Sequence, residues 1–198
     1  MSVISLETRY GSFFKRQSFS DLITALDYIQ VEEHGWRQVQ QWITQFGLSK
    51  ARLFFIGNGG SAAIASHMAI DFMKAGGFAT FGPGDAAHFS CLSNDWGFEH
   101  VYAEHIKKHG QLGDVLFAIS SSGMSENILR AVDRAIDCKM NVVTLSGFGQ
   151  GNFLRGRGGV NFYVPSQQYG TVEISHLAIM HSILDEAIAN EKLALEGK

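Results

Sequence analysis

From residue 52 onward, short apolar runs alternate with segments of helical spacing, and this predicts an α/β domain with a central parallel sheet covered by helices on both faces. Two further observations agree. The chain has 198 residues, 45% of them hydrophobic, which is material for one core of ordinary size. No charge block, Pro-rich tract or Gly/Ser linker divides it.

The elements follow in order. Leu22, Leu26 and Ile29, and then Trp36, Val39, Ile43 and Phe46, recur at helical spacing. Two helices therefore precede the sheet, the first capped by Ser20 and the second ended by Gly47. Arg52 to Ile56 reads as a buried strand, Ser61 to Lys74 as a helix closed by Gly76 and Gly77, Val115 to Ile119 as a strand, and Ser125 to Cys138 as a helix. Asn141 to Leu145 and Asn161 to Val164 are further strands, and a long helix runs from Val172 to Ala189. That last helix is apolar nearly all round, with Ile174, Leu177, Ile179, Met180, Ile183, Leu184 and Ile188. It is either central to the domain or part of a subunit interface, and the interface is favoured. The expected division is a helical extension over 1–50 and the sheet-bearing domain over 51–198, forming one structural domain overall.

Composition excludes several classes. Sixteen Lys+Arg against nineteen Asp+Glu leave a net charge of −3, so no positive field recruits nucleic acid or an anionic membrane. The apolar runs are far below the ~20 residues of a membrane helix. Glu7 and Arg9 interrupt the stretch where a secretory signal needs apolar residues, so a cytoplasmic location is expected. Cys91 and Cys138 are expected to be buried free thiols. Glycine is the oddity, 22 residues against two prolines.

Some of that glycine stands where a strand meets a helix, in Gly57-Asn58-Gly59-Gly60-Ser61. Without Cβ atoms, backbone N–H groups can approach an anion there, and the following helix aims its free N–H groups and positive dipole end at the same point. Ser120-Ser121-Ser122-Gly123-Met124-Ser125 follows another strand and opens another helix. Its four hydroxyls, with no Lys or Arg among them, can donate to phosphate oxygens; the alternative is a serine-rich loop with an ordinary Ser125 N-cap. Two such loops at corresponding strand ends favour a phosphorylated ligand.

These two loops, together with Asn94-Asp95-Trp96-Gly97-Phe98 between them, resemble the sugar isomerase (SIS) domain family, and within it the phosphoheptose isomerases. The likeness runs from about Leu53 to Ile188. It implies a flavodoxin-like three-layer α/β sandwich and a homotetramer with active sites between subunits. The implied activity is that of an aldose–ketose isomerase, converting sedoheptulose 7-phosphate to D-glycero-D-manno-heptose 7-phosphate in heptose synthesis. By motif, Asn58, Gly59, Gly60, Ser61, Asn94 and Asp95 would contact substrate, and Ser120, Ser121, Ser122 and Ser125 would hold the phosphate. The family's Zn²⁺ positions fall on His67, Asp71, Glu173 and His181, with Asp in place of Glu and Glu in place of Gln. All four can bind zinc.

His67 and Asp71, four apart on one helix, share a face, as two ligands on one element must. Glu173 and His181 are separated by eight residues, a helical rise of ~12 Å. Glu173 therefore sits at an irregular helix start, or one of the two reaches a given metal. His176 is a spare ligand, with a capped or interface histidine as the favoured reading. Moving a proton between adjacent sugar carbons needs a base at carbon, an acid or Lewis acid at the carbonyl oxygen, and exclusion of water. By resemblance the base is Asp71 and the acid His181; Asp71 is one methylene shorter than the family glutamate, which makes Glu173 a second candidate base. The regions Ala75-Gly76-Gly77-Phe78 and Tyr169-Gly170-Thr171 lack the charges common in the family, so charged recognition of the polyol is reduced. His88, His100, His105 and His109 are expected to be surface or core histidines, and Trp36, Trp42 and Trp96 packing residues. The competing expectations are a non-catalytic SIS tetramer resembling DiaA, which binds the replication initiator DnaA, and a regulatory protein that binds a phosphosugar.

Overall fold

A computed structural model describes residues 17–30, 33–46 and 52–196. In chain order the elements are α1 (Gln17–Asp27), α2 (Glu33–Phe46), β1 (Arg52–Gly57), α3 (Gly60–Lys74), β2 (Ala79–Phe81), α4 (Ala86–Trp96) and a 3-10 turn (Phe98–His100). They continue with α5 (Val101–His109), β3 (Val115–Ser120), α6 (Glu126–Asp137), β4 (Asn141–Ser146), β5 (Val160–Tyr163) and α7 (Tyr169–Glu196). The five strands form one parallel sheet in the order β2-β1-β3-β4-β5.

The strands are apolar on both faces, as a doubly covered parallel sheet requires. Leu53, Phe55, Val115, Phe117, Val143, Leu145 and Phe162 point to one side, where α1, α2, α3 and α7 supply Ala25, Val39, Ile43, Met68, Phe72, Met180 and Ile183. Phe54, Ile56, Leu116, Ala118 and Val142 point to the other, against Ile106 of α5 and Ile128, Val132 and Ala135 of α6. The result is the three-layer α/β sandwich expected.

Strand order 2-1-3-4-5 reverses direction between β1 and β3, and in open α/β sheets ligands bind outside the carboxyl ends of the strands at that reversal. The two polar loops follow β1 and β3, so the topology brings them side by side.

Several expectations change. Ser20 lies inside α1, on its exposed side, since the described helix already runs from Gln17; serine costs little on a solvent face. Gly47 lies outside the described residues. α7 is central to the chain's own core, with Val172, His176, Ile179, Met180, Ile183 and Leu184 buried, which accounts for most of its apolar residues. Cys91 is exposed and Cys138 only partly buried, both as free thiols. Trp96 is exposed at the end of α4, a helix with no fully buried residue, whereas Trp36 and Trp42 pack on the core. Helices α1 and α2 contribute Ala25, Val39 and Ile43 to the main core, and an antiparallel bridge ties Gln30 to Tyr163 of β5.

Candidate active site

A cavity of about 240 Å³ opens at the carboxyl ends of β1 and β3. Asn58, Gly59, Gly60 and Ser61 form one wall, and Ser120, Ser121, Ser122 and Ser125 another; Ile119, Tyr169 and Glu173 complete it. Internal bonds fix the first loop. The Asn58 and Asn127 side-chain amides exchange two hydrogen bonds of 2.8 Å, fastening the loop to α6. The buried Tyr102 hydroxyl donates to the Gly57 carbonyl, and burial pushes this phenol up to about 12, so it stays a donor. Gly60 permits a close approach, because a Cβ there would stand 2.5 Å from the Glu173 carboxylate.

The serine loop keeps hydroxyls uncommitted. Ser125 occupies the N-cap position of α6, yet its side chain makes no capping hydrogen bond. The Ser120 hydroxyl lies 3.4 Å from that of Ser125 and accepts from the Gly123 N–H at 3.2 Å. The Ser121 Oγ is buried without a hydrogen-bond partner, although the Ser121 carbonyl is held by Gly147 N–H at 3.0 Å. An unpartnered buried hydroxyl is costly. Here it belongs to a residue that lines the cavity.

A second cluster lies farther along the same two helices. His67 and Asp71 of α3 are 3.3 Å apart (Nε2 to Oδ2), and the His67 and His181 rings lie 5.5 Å apart at 63°. Ligand atoms of His67, Asp71 and His181 all lie within 4.8 Å of one another, a set able to hold a metal ion. Two imidazole nitrogens and one carboxylate oxygen are donors of the kinds that bind divalent metal ions.

Glu173 is not a member of that set. Helix α7 runs without a break from Tyr169, so Glu173 stands against Gly60 while His181, eight residues on, meets His67. Asn94 and Asp95 are exposed at the end of α4 and do not line the cavity of the single chain; the Asn94 amide donates to Asp95 at 3.0 Å. His176 is no ligand of the cluster either. It is wholly buried beneath the end of β4, with Nε2 3.2 Å from the Ser146 carbonyl, and burial holds its imidazole down to about 4. His88, His105 and His109 gather between α4 and α5, with ring centroids 5.4 and 4.7 Å apart; burial and the two neighbouring imidazoles hold His105 down to about 4. His100 lies apart from them, 3.8 Å from the Glu99 carboxylate. Sequence reasoning missed Asn127, Tyr102 and Tyr169. Asn127 left one trace, a polar residue on the otherwise apolar buried stripe of α6.

A model of the SIS domain matches residues 9–147. The chain belongs to the SIS domain family. Among similar SIS proteins, the phosphoheptose isomerase of Hamiltonella defensa subsp. Acyrthosiphon pisum (strain 5AT) is 36% identical over 134 residues, 65% of each chain. The phosphoheptose isomerase of Vibrio vulnificus (strain CMCP6) is 29% identical over 178 residues, 85% of this chain and 93% of that one. The solved structure of phosphoheptose isomerase GmhA from Neisseria gonorrhoeae superposes with a TM-score of 0.78 at 27% identity, covering 87% of this chain and 96% of that one. The SIS model's match begins well before Leu53 and ends before α7, so Glu173 and His181 lie beyond it.

Proposed function

We propose that this SIS-domain chain is a phosphoheptose isomerase, converting sedoheptulose 7-phosphate to D-glycero-D-manno-heptose 7-phosphate. Its relatives support the reading, and one geometric observation carries it. The hydroxyl-lined cavity and the His67–Asp71–His181 cluster lie on the same pair of neighbouring helices. Gly60 and His67 are seven residues apart on α3, a rise of ~10 Å. An open-chain seven-carbon sugar phosphate, with bonds of about 1.5 Å, spans about the same length. A sugar whose phosphate sits at the serine loop would extend its C1 and C2 end along α3 towards the cluster.

The residues then have these roles. Ser120, Ser121, Ser122 and Ser125 donate to the phosphate oxygens, and the N-termini of α3 and α6 add their positive dipole ends. Asp71 removes the C1 proton of the ketose while the C2 carbonyl oxygen gains a proton from His181, giving the enediol. The O1 hydroxyl then gives up its proton and C2 receives one, which leaves the C1 aldehyde; the protons balance. His67, Asp71 and His181 would hold Zn²⁺, which supplies Lewis-acid polarisation of the carbonyl when bound. Asn94 and Asp95 are assigned to substrate through the assembled oligomer.

That oligomer is part of the proposal. His67 is half exposed, and Ile70 and Met73 of α3 and Ile174 of α7 are exposed apolar residues on the helices of the cluster. An enediol needs exclusion of water. A homotetramer covering this rim provides it. Among the described residues no helix is long and apolar enough to cross a membrane; a cytoplasmic place follows from the proposed substrate.

The test is conversion of six- and seven-carbon ketose phosphates by the intact protein, with and without a chelator. Chelator-sensitive aldose formation from sedoheptulose 7-phosphate is expected. Metal-loaded protein that forms no aldose from any of them refutes the reading.

A further inference from the structure

The phosphate cavity contains one formal charge, and it has the wrong sign for an anion. Asn58, Ser61, the serine loop and Tyr169 present neutral groups, and no Lys, Arg or His lines the cavity among the described residues. Glu173 does line it. All three atoms of its carboxylate group lie 2.5 Å from where a Gly60 Cβ would be, so the charge rests on the first turn of α3, beside the donors a phosphate uses. Phosphate carries about −1.5 to −2 at neutral pH, and like charges a few ångströms apart repel even in the partly screened interior of a protein.

A bare inorganic phosphate meets this repulsion with nothing to offset it. A sugar phosphate differs, because a chain esterified to a phosphate at the serine loop leaves through the same cavity and meets the Glu173 carboxylate that lines it. A carboxylate is purely an acceptor with two oxygens, and sugar hydroxyls are donors. We propose that Glu173 is a selectivity residue: it holds off free inorganic phosphate and admits phosphate as the ester of a polyhydroxylated chain. Discrimination by an unfavourable contact with the competitor is a common way to build specificity. An enzyme working among abundant free phosphate gains an unblocked site. The inference rests on reading the cavity as a phosphate site, but not on the isomerase reaction.

The experiment is calorimetric titration of the full chain with two probes that cannot turn over, inorganic phosphate and glucitol 6-phosphate. Wild type is expected to prefer glucitol 6-phosphate. Glu173→Gln should bind inorganic phosphate about tenfold tighter. Glu173→Ala should also gain affinity for inorganic phosphate but gain none for glucitol 6-phosphate, since the hydroxyl acceptor is lost. Ser121→Ala should weaken both probes, which locates the binding in this cavity. Inorganic phosphate bound equally or more weakly by both Glu173 variants, or bound by none of the proteins, overturns the proposal. Phosphate selectivity of the expected kind without isomerisation of any ketose phosphate keeps this inference and removes the proposed reaction.

Discussion

Ser121→Ala should make the empty protein more stable and the phosphate complex weaker, a pair of opposite signs that few core substitutions produce. The Ser121 hydroxyl is buried with no hydrogen-bond partner, and its carbonyl bond to Gly147 does not depend on the side chain. Leaving a buried polar group unmade costs about 1–3 kcal/mol, so removing the oxygen returns about 1 kcal/mol at the low end of that range. For a chain of this size that raises Tm by about 2–4 °C. In the complex the same oxygen donates to a charged phosphate, an interaction of about 1.5–3 kcal/mol, so binding weakens by about ten- to a hundredfold. Thermal denaturation with and without saturating glucitol 6-phosphate, followed by titration with that ester, reads both quantities. A lower Tm for the empty variant, or unchanged affinity for the ester, would show that the hydroxyl is not held in reserve for a ligand.

Three other outcomes are expected. His67→Ala and His181→Ala should each reduce bound zinc from about one per chain to a small fraction, read by elemental analysis of the purified protein; full occupancy in both would remove the cluster as a metal site. Burial keeps His176 neutral, with its folded pKa about 4 against 6.5 for the ordinary side chain, so between these values the unfolded chain binds more protons. Its contribution is complete above pH 6.5 and is lost as pH falls towards 4, by up to about 3 kcal/mol; urea midpoints of wild type should fall across this window more steeply than those of His176→Gln. Asn127→Leu breaks the paired amides that hold Asn58, and should raise KM several-fold and lower stability by about 1–2 kcal/mol, checked by kinetics and urea denaturation.

What could be read from the sequence depended on whether burial left a pattern. β1, β3 and β4 are nearly continuous apolar runs, and α6 places Ile128, Leu129, Ala131, Val132 and Ala135 on one stripe, so these elements were legible to within about a residue. α4 buries none of its residues, and no stripe announces it. β2 has three residues at the sheet edge, too few for a period. α5 carries its buried residues in only nine positions, next to a run of Lys107, Lys108 and His109. At the site, loop composition and i, i+4 spacing identified the cavity walls and the His67–Asp71 pair, because both signals are local. The split between Glu173 and His181 depended on α7 being regular from Tyr169, and the Asn58–Asn127 pair joins residues 69 apart in sequence. Neither is written in local spacing.

Transfer of hydrogen between C1 and C2 is most directly followed by NMR of sedoheptulose 7-phosphate with zinc-loaded protein in D₂O. The expected spectrum shows an aldose product carrying solvent deuterium at C2, formed by wild type and not by Asp71→Asn or His181→Ala. A sugar that binds yet keeps its carbonyl at C2 and takes up no deuterium at C1 would contradict the account.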